Sequence, residues 1–101
     1  MTKARNQYLY QFKGTITGRT FAKASPQSKY AGQAYYKLDT VLENQPNKTL
    51  QVFPAKLENP AIWDLIVQAQ CFQKRYLFKC RNPRGYYYLV NWEEIPEEIK
   101  E

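Results

Sequence analysis

A chain of 101 residues and 12.0 kDa has room for one domain with one modest core. With 44% hydrophobic and 24% charged residues it is not composed like a disordered chain; its short apolar runs exclude a transmembrane helix, and the lack of histidine removes the usual general base and the commonest metal ligand. The net charge of +6 is unevenly spread: Glu93, Glu94, Glu97, Glu98 and Glu101 face only Lys100, which leaves 14 basic against 4 acidic residues in the first 92.

Residues 1–7 read as a polar arm, and a period of two begins at Tyr8. Over 8–21, Tyr8, Tyr10, Phe12, Gly14 and Ile16 fall on one face and Gln11, Lys13, Thr15, Thr17 and Arg19 on the other, which predicts a long half-buried strand. Gly14 and Gly18, both assigned to the inner face, permit the coiling needed where one strand serves both sides of a small barrel. Residues 22–33, rich in Ser, Gly, Pro and Lys, are a loop. The second strand, 34–42, sets Tyr36 and Leu38 against Tyr35, Lys37 and Asp39; a turn at 44–48 leads to a short antiparallel third strand over 49–55. The period then changes. Asn59 as N-cap, Pro60 at the first helical position, and Ile62, Leu65, Ile66 and Ala69 at helical spacing predict an amphipathic helix over 60–69. Strands over 72–81 and 86–92 come next, joined by the turn Asn82-Pro-Arg-Gly85, and residues 96–101 form an acidic tail.

Three strands, a helix and two strands is the element order of the OB-fold, a five-stranded Greek-key barrel. The predicted fold is therefore all-β with one short helix, with an SH3-like barrel as the rival architecture. Over 8–95 the chain resembles OB-fold single-stranded nucleic-acid-binding proteins and is similar to bacterial single-stranded DNA-binding proteins and primosomal PriB. The likeness lies in element order, a Gly-bearing first strand and interleaved aromatic and basic residues. It departs at the end: the family's acidic tip closes in Pro-Phe, whereas this chain closes in Ile95-Pro-Glu-Glu-Ile-Lys-Glu101, so partner recruitment by such a tip does not carry over. The resemblance implies binding of single-stranded DNA or RNA with DNA favoured, assembly into a homo-oligomer, and replication or repair proteins as partners.

A base-tolerant single-strand site needs cations for phosphates and π-faces for unpaired bases, and OB-folds place it on the second and third strands and their flanking loops. By alternation Tyr35 and Lys37 point outward on the second strand, and Gln51 and Phe53 on the third, with Lys56 just beyond. Phe53 is the leading stacking candidate; a register shift or bulge before Pro54 would return it to the core. On the fourth strand Tyr76, Phe78 and Cys80 point inward, and Arg75, Lys79 and Arg81 form a phosphate track with no acid among them. A solvated edge face is the alternative. Lys13 and Arg19 extend this basic surface from the first strand. Lys29 and Tyr30 in the long loop are placed to close over a bound strand, and Arg84 guides it at the turn tip. Tyr86 and Tyr88 share one face and Tyr87 the other; both faces continue into apolar residues, so periodicity leaves open which is core.

Trp63 and Trp92 read as structural. No GxSxG, Walker, GxGxxG, HExxH or EF-hand pattern occurs, so no catalytic residue, metal or cofactor is expected and the protein is not read as an enzyme. Cys71 and Cys80, taken on one strand, would lie roughly 30 Å apart at about 3.3 Å per residue, too far for a disulfide, which fits free thiols in a reducing compartment. The first twenty residues lack an apolar stretch, so the expected location is the cytoplasm, or a nucleoid or organelle interior, not the exterior. The rival function is an OB- or SH3-like barrel whose aromatic patches join a protein partner.

Overall fold

Five strands, β1 (Tyr10–Lys23), β2 (Ala34–Leu42), β3 (Thr49–Val52), β4 (Arg75–Arg81) and β5 (Tyr87–Ile95), close into a barrel in the order β1-β2-β3-β5-β4. A seven-residue helix, α1 (Ala61–Val67), stands between β3 and β4. The computed structural model describes residues 9–27, 31–82 and 85–96. All pairings are antiparallel except β3 with β5, which is parallel at Leu50↔Tyr87 and Gln51↔Tyr88 and closes the barrel. The all-β barrel with one short helix expected from element order is therefore the fold observed. Among the described residues no helix is long and apolar enough to cross a membrane.

β1 can serve both sides because it is long and bends. It pairs with β4 through Tyr10–Thr15 and with β2 through Gly14–Lys23. At the shared rung the strands approach so closely that a Cβ on Gly14 would sit 2.2 Å from the Val41 carbonyl oxygen, so only glycine fits. Gly18 is different. A bulge between Ile16 and Gly18 inserts Thr17 and inverts the facing of the residues from Gly18 onward. Gly18 then pairs with outward Asp39, and Arg19 with inward Leu38. Gly18 is thus on the outer face, not the inner one.

Where alternation runs unbroken it places the core as predicted. Phe12, Ile16, Leu38, Leu50, Val52, Tyr76, Phe78 and Cys80 are buried together, and Ile62 and Ile66 of α1, with Leu57 and Cys71, belong to the same buried cluster. The helix starts one residue later than predicted, at Ala61 with Pro60 in the N-cap position, and Asn59 Oδ1 accepts the Ala61 N–H at 3.1 Å. It ends sooner than predicted, because Ala69 adopts φ 58° and is exposed, while Gln70 N–H bonds back to the Leu65 carbonyl. β4 also starts later, at Arg75, after Gln73 at φ 66°. Cys71 and Cys80 therefore do not share a strand; both are free and buried.

β5 resolves the question about the three tyrosines. Tyr87 packs inward, edge-on to Phe12 at 5.2 Å and to Tyr10 at 5.7 Å, and Leu89 is fully buried beside it. A second bulge then intervenes: Lys79 pairs with Asn91 and Cys80 with Leu89, leaving Val90 as the extra residue. The phase shifts, so Trp92 also joins the core, stacked on Tyr76 at 4.2 Å. Trp63 packs half-buried against the core through Tyr36 at 5.4 Å, as its structural reading requires. β5 runs on to Ile95, so Glu93 and Glu94 are strand residues opposite Leu77 and Tyr76.

Candidate nucleic-acid interface

On the outside of the barrel, register lines up a single row of side chains. Lys37 of β2 pairs with Gln51 of β3, Gln51 with Tyr88 of β5, and Tyr88 with Arg81 of β4. Leu38, Leu50, Leu89 and Cys80 are their inward neighbours, so alternation turns this row outward. One step along, Tyr35 stacks on Phe53 with ring centroids 4.5 Å apart and planes within 9°, and Phe53 leans on Tyr88 at 5.8 Å. The chain after β3 tightens into a 3₁₀ turn over Pro54–Lys56. Glu58 N–H then bonds to the Val90 carbonyl at 2.9 Å, which ties this turn to β5. Lys56 is thereby carried to β5, its Nζ 5.2 Å from the Tyr88 ring centre. Lys56, Arg81, Tyr88 and Val90 line a cleft of about 170 Å³. The bulged Val90 gives it an apolar floor and the two cations give it a positive rim.

The candidate residues divide. Tyr35, Lys37, Lys56, Arg81 and Tyr88 come together on this face, and Tyr86 precedes it with 58% exposure. Phe53 does not serve as the predicted exposed platform: it is only 4% exposed. Its side chain does point outward, but Tyr35 and Tyr88 cover it, so it supports their rings and is closed to a base. Arg19 is also corrected. Turned inward by the β1 bulge, its Nη1 donates to Tyr36 Oη at 3.1 Å and to the Ile66 and Val67 carbonyls at 2.9 and 3.1 Å. It caps the C-terminal end of α1, donating to the Val67 carbonyl and sharing the Ile66 carbonyl with the Ala69 N–H.

The β4 phosphate track divides: Arg81 lines the cleft, whereas Arg75 and Lys79 meet acids. No acid lies on that strand, but β5 supplies two and the β2–β3 turn one. Arg75 bonds Glu43 through both Nε and Nη2, the latter at 3.0 Å from Oε1. Lys79 meets Glu93 at 2.6 Å, and Lys74 meets Glu94 at 3.6 Å. Lys13 stands opposite Leu77 on this same side, away from the cleft. Lys29, Tyr30 and Arg84 lie outside the described residues. Sequence reasoning also missed Lys48, whose Nζ sits 4.8 Å from the Tyr87 ring centre and 5.2 Å from that of Phe12. Its place in a Pro-Asn turn gave no sign of two inward rings nearby.

The shifted titrations are structural. Burial pushes the Cys80 thiol up to about 12 and raises Cys71 as well, which disfavours the reactive thiolate. Burial first, then Cys71 and Glu94, moves Tyr76 up to about 12; its hydroxyl donates to the Cys71 carbonyl at 3.1 Å. Glu43 is held low, chiefly by the hydrogen bond from Arg75. Among the described residues no group of three His, Cys, Asp or Glu side chains could hold a metal ion. No family model, curated protein or solved structure matches the chain, so a functional reading rests on the geometry of this face.

Proposed function

We propose that this barrel binds single-stranded nucleic acid on the outer face of β2, β3 and β5 and the Arg81 end of β4, with little sequence preference and no catalysis. The observation that carries the reading is the cross-strand row, which sets Tyr88 between Gln51 and Arg81, with Lys37 at its far end and Lys56 over the ring. Cations and a π-face side by side meet the two needs of an unpaired strand: phosphate neutralisation and base stacking. Stacking tolerates any base, and DNA is favoured over RNA by resemblance alone. Titration of the intact chain with poly-dT, poly-U and a duplex tests this through intrinsic fluorescence and anisotropy at two salt concentrations. Quenching by single strands but not duplex, weakened by salt, is expected; no binding at low salt overturns the reading.

A second reading has its own support. Phe21 is 53% exposed and packs edge-on to Tyr36, with Val67 of α1 43% exposed. Such side chains on a strand and a helix suit a protein partner. A barrel of that kind elutes from a polyanion resin at low salt and shows no quenching by oligonucleotides.

A further inference from the structure

We infer that a polar pocket beside the row is a base-reading subsite, in which the Asp39 carboxylate selects guanine over thymine. This inference rests on the nucleic-acid reading above and gives one position of the bound strand a preferred base. The pocket adjoins the row directly. Lys37 pairs with Gln51, and two residues further along β2 Asp39 pairs with Thr49, about 7 Å away. Leu38 and Thr40 on either side of Asp39 are buried, so Asp39 shares the outward phase of Lys37. The pocket encloses about 240 Å³, with Thr17, Asp39, Val41 and Thr49 in its lining, and has room for one nucleobase. Its wall is fixed where Thr40 Oγ1 donates to the Lys48 carbonyl at 2.7 Å and Asn47 Oδ1 accepts the Leu42 N–H at 3.0 Å. Val41, 48% exposed, gives a ring an apolar surface to lie on. The carboxylate is held in place. Thr49 Oγ1 donates to Asp39 Oδ1 at 3.3 Å, and Oγ1 of the bulged Thr17 donates to the Asp39 carbonyl at 3.3 Å. A Cβ on Gly18 would stand 3.3 Å from Asp39 Oδ2, so glycine at that rung leaves this oxygen room.

An ionised carboxylate accepts hydrogen bonds and donates none, and phosphate repels it, so what it takes from a strand is the N–H edge of an unpaired base. Guanine alone of the four bases presents two adjacent donors there, N1–H and N2–H, one for each carboxylate oxygen. Adenine and cytosine set a ring-nitrogen acceptor beside their amine, and thymine sets a carbonyl on each side of its N3–H. The experiment is anisotropy titration of the intact chain with an oligo-dT of about eight nucleotides, unaltered and with guanine at each position in turn. The expected result is a gain of about fivefold or more for the best-placed guanine, reduced when inosine, which lacks the 2-amino group, takes its place. Asp39→Asn should bring guanine and thymine close to parity, because an amide offers one acceptor and one donor and so suits the thymine edge. Loss of negative charge by itself would tighten both strands alike and leave their ratio unchanged, so the ratio separates base reading from charge. A scan with no position at which guanine gains, or a ratio that survives Asp39→Asn, overturns the subsite and leaves the nucleic-acid reading standing. Absence of binding by every strand at low salt overturns both.

Discussion

The stretch from Lys74 to Lys79 at the start of β4 and the row and cleft that hold Lys37, Lys56 and Arg81 each carry three basic residues and use them in different ways. On β4 and the residue before it, each of Lys74, Arg75 and Lys79 meets a carboxylate from β5 or from the turn after β2. These bridges are solvent-exposed at one or both ends, so they contribute little to stability. In the cleft Lys56 lies against the Tyr88 ring, and Arg81 shares a floor of Tyr88 and Val90. A cation on an aromatic face is held by the ring quadrupole without being neutralised. Cations in a strand therefore do not by themselves make a polyanion track; the groups opposite them across the sheet decide.

The sharpest test of this contrast removes the ring. Tyr88→Ala should weaken single-strand binding by about tenfold or more, since one stacked base contributes about 1–3 kcal/mol, whereas Tyr88→Phe should keep most of it. Fluorescence titration of both variants checks this, and equal affinities would take Tyr88 out of the site. The substitution also uncovers Phe53, so thermal unfolding is measured in parallel to separate lost binding from lost fold.

Arg19 belongs to neither face, and it shows what sequence could and could not reveal. Arg19→Met should cost about 0.5–1.5 kcal/mol of stability by removing the donor to the Val67 carbonyl and Tyr36 hydroxyl and one of the donors to the Ile66 carbonyl. Denaturant unfolding measures that loss, and the salt slope of binding should stay unchanged. Alternation alone places Arg19 outside with Lys13, because a period of two carries no mark of an inserted residue. β2, β3 and β4 contain no bulge, and there Leu38, Leu50, Val52, Tyr76, Phe78 and Cys80 all fall inward as their spacing demands. β1 and β5 each contain one, at Thr17 and Val90, both ordinary strand residues. The one trace in sequence is in β5, where apolar residues on both faces mean that the inward phase changes midway. Phe53 departs from expectation for a related reason: direction is local, whereas cover by Tyr35 and Tyr88 depends on strands far apart in the chain.

A pair of charge removals, smaller in effect, compares the two faces directly. Lys37→Gln should lower the salt slope by about 0.7, and Lys79→Gln should leave it where it was. Anisotropy titration over a salt series distinguishes them. A shallower slope for Lys79→Gln would mean that Glu93 yields its partner to phosphate and that the two faces act as one surface.

The smallest effect is one of pH, and its sign is set by the Glu43–Arg75 pair. The hydrogen bond from Arg75 is the largest influence on the Glu43 carboxyl; the charges of Arg75 and Lys13 add to it, burial opposes it, and the net result lies below the ordinary value of 4.5. A carboxyl depressed in the folded state favours folding when ionised. That contribution is fully present above the unfolded value, near 4.5, and is lost as pH falls through the lower folded one. Urea midpoints of the unaltered chain and Glu43→Gln should therefore differ at neutral pH and converge on acidification. A gap that persists in acid would mean that Glu43 acts through packing. The same protonation releases Arg75 from its carboxylate without altering thymine bases or the phosphodiester. Provided the barrel stays folded, the salt slope for long oligo-dT should steepen as the midpoints converge, so acid should make the β4 face behave more like the cleft.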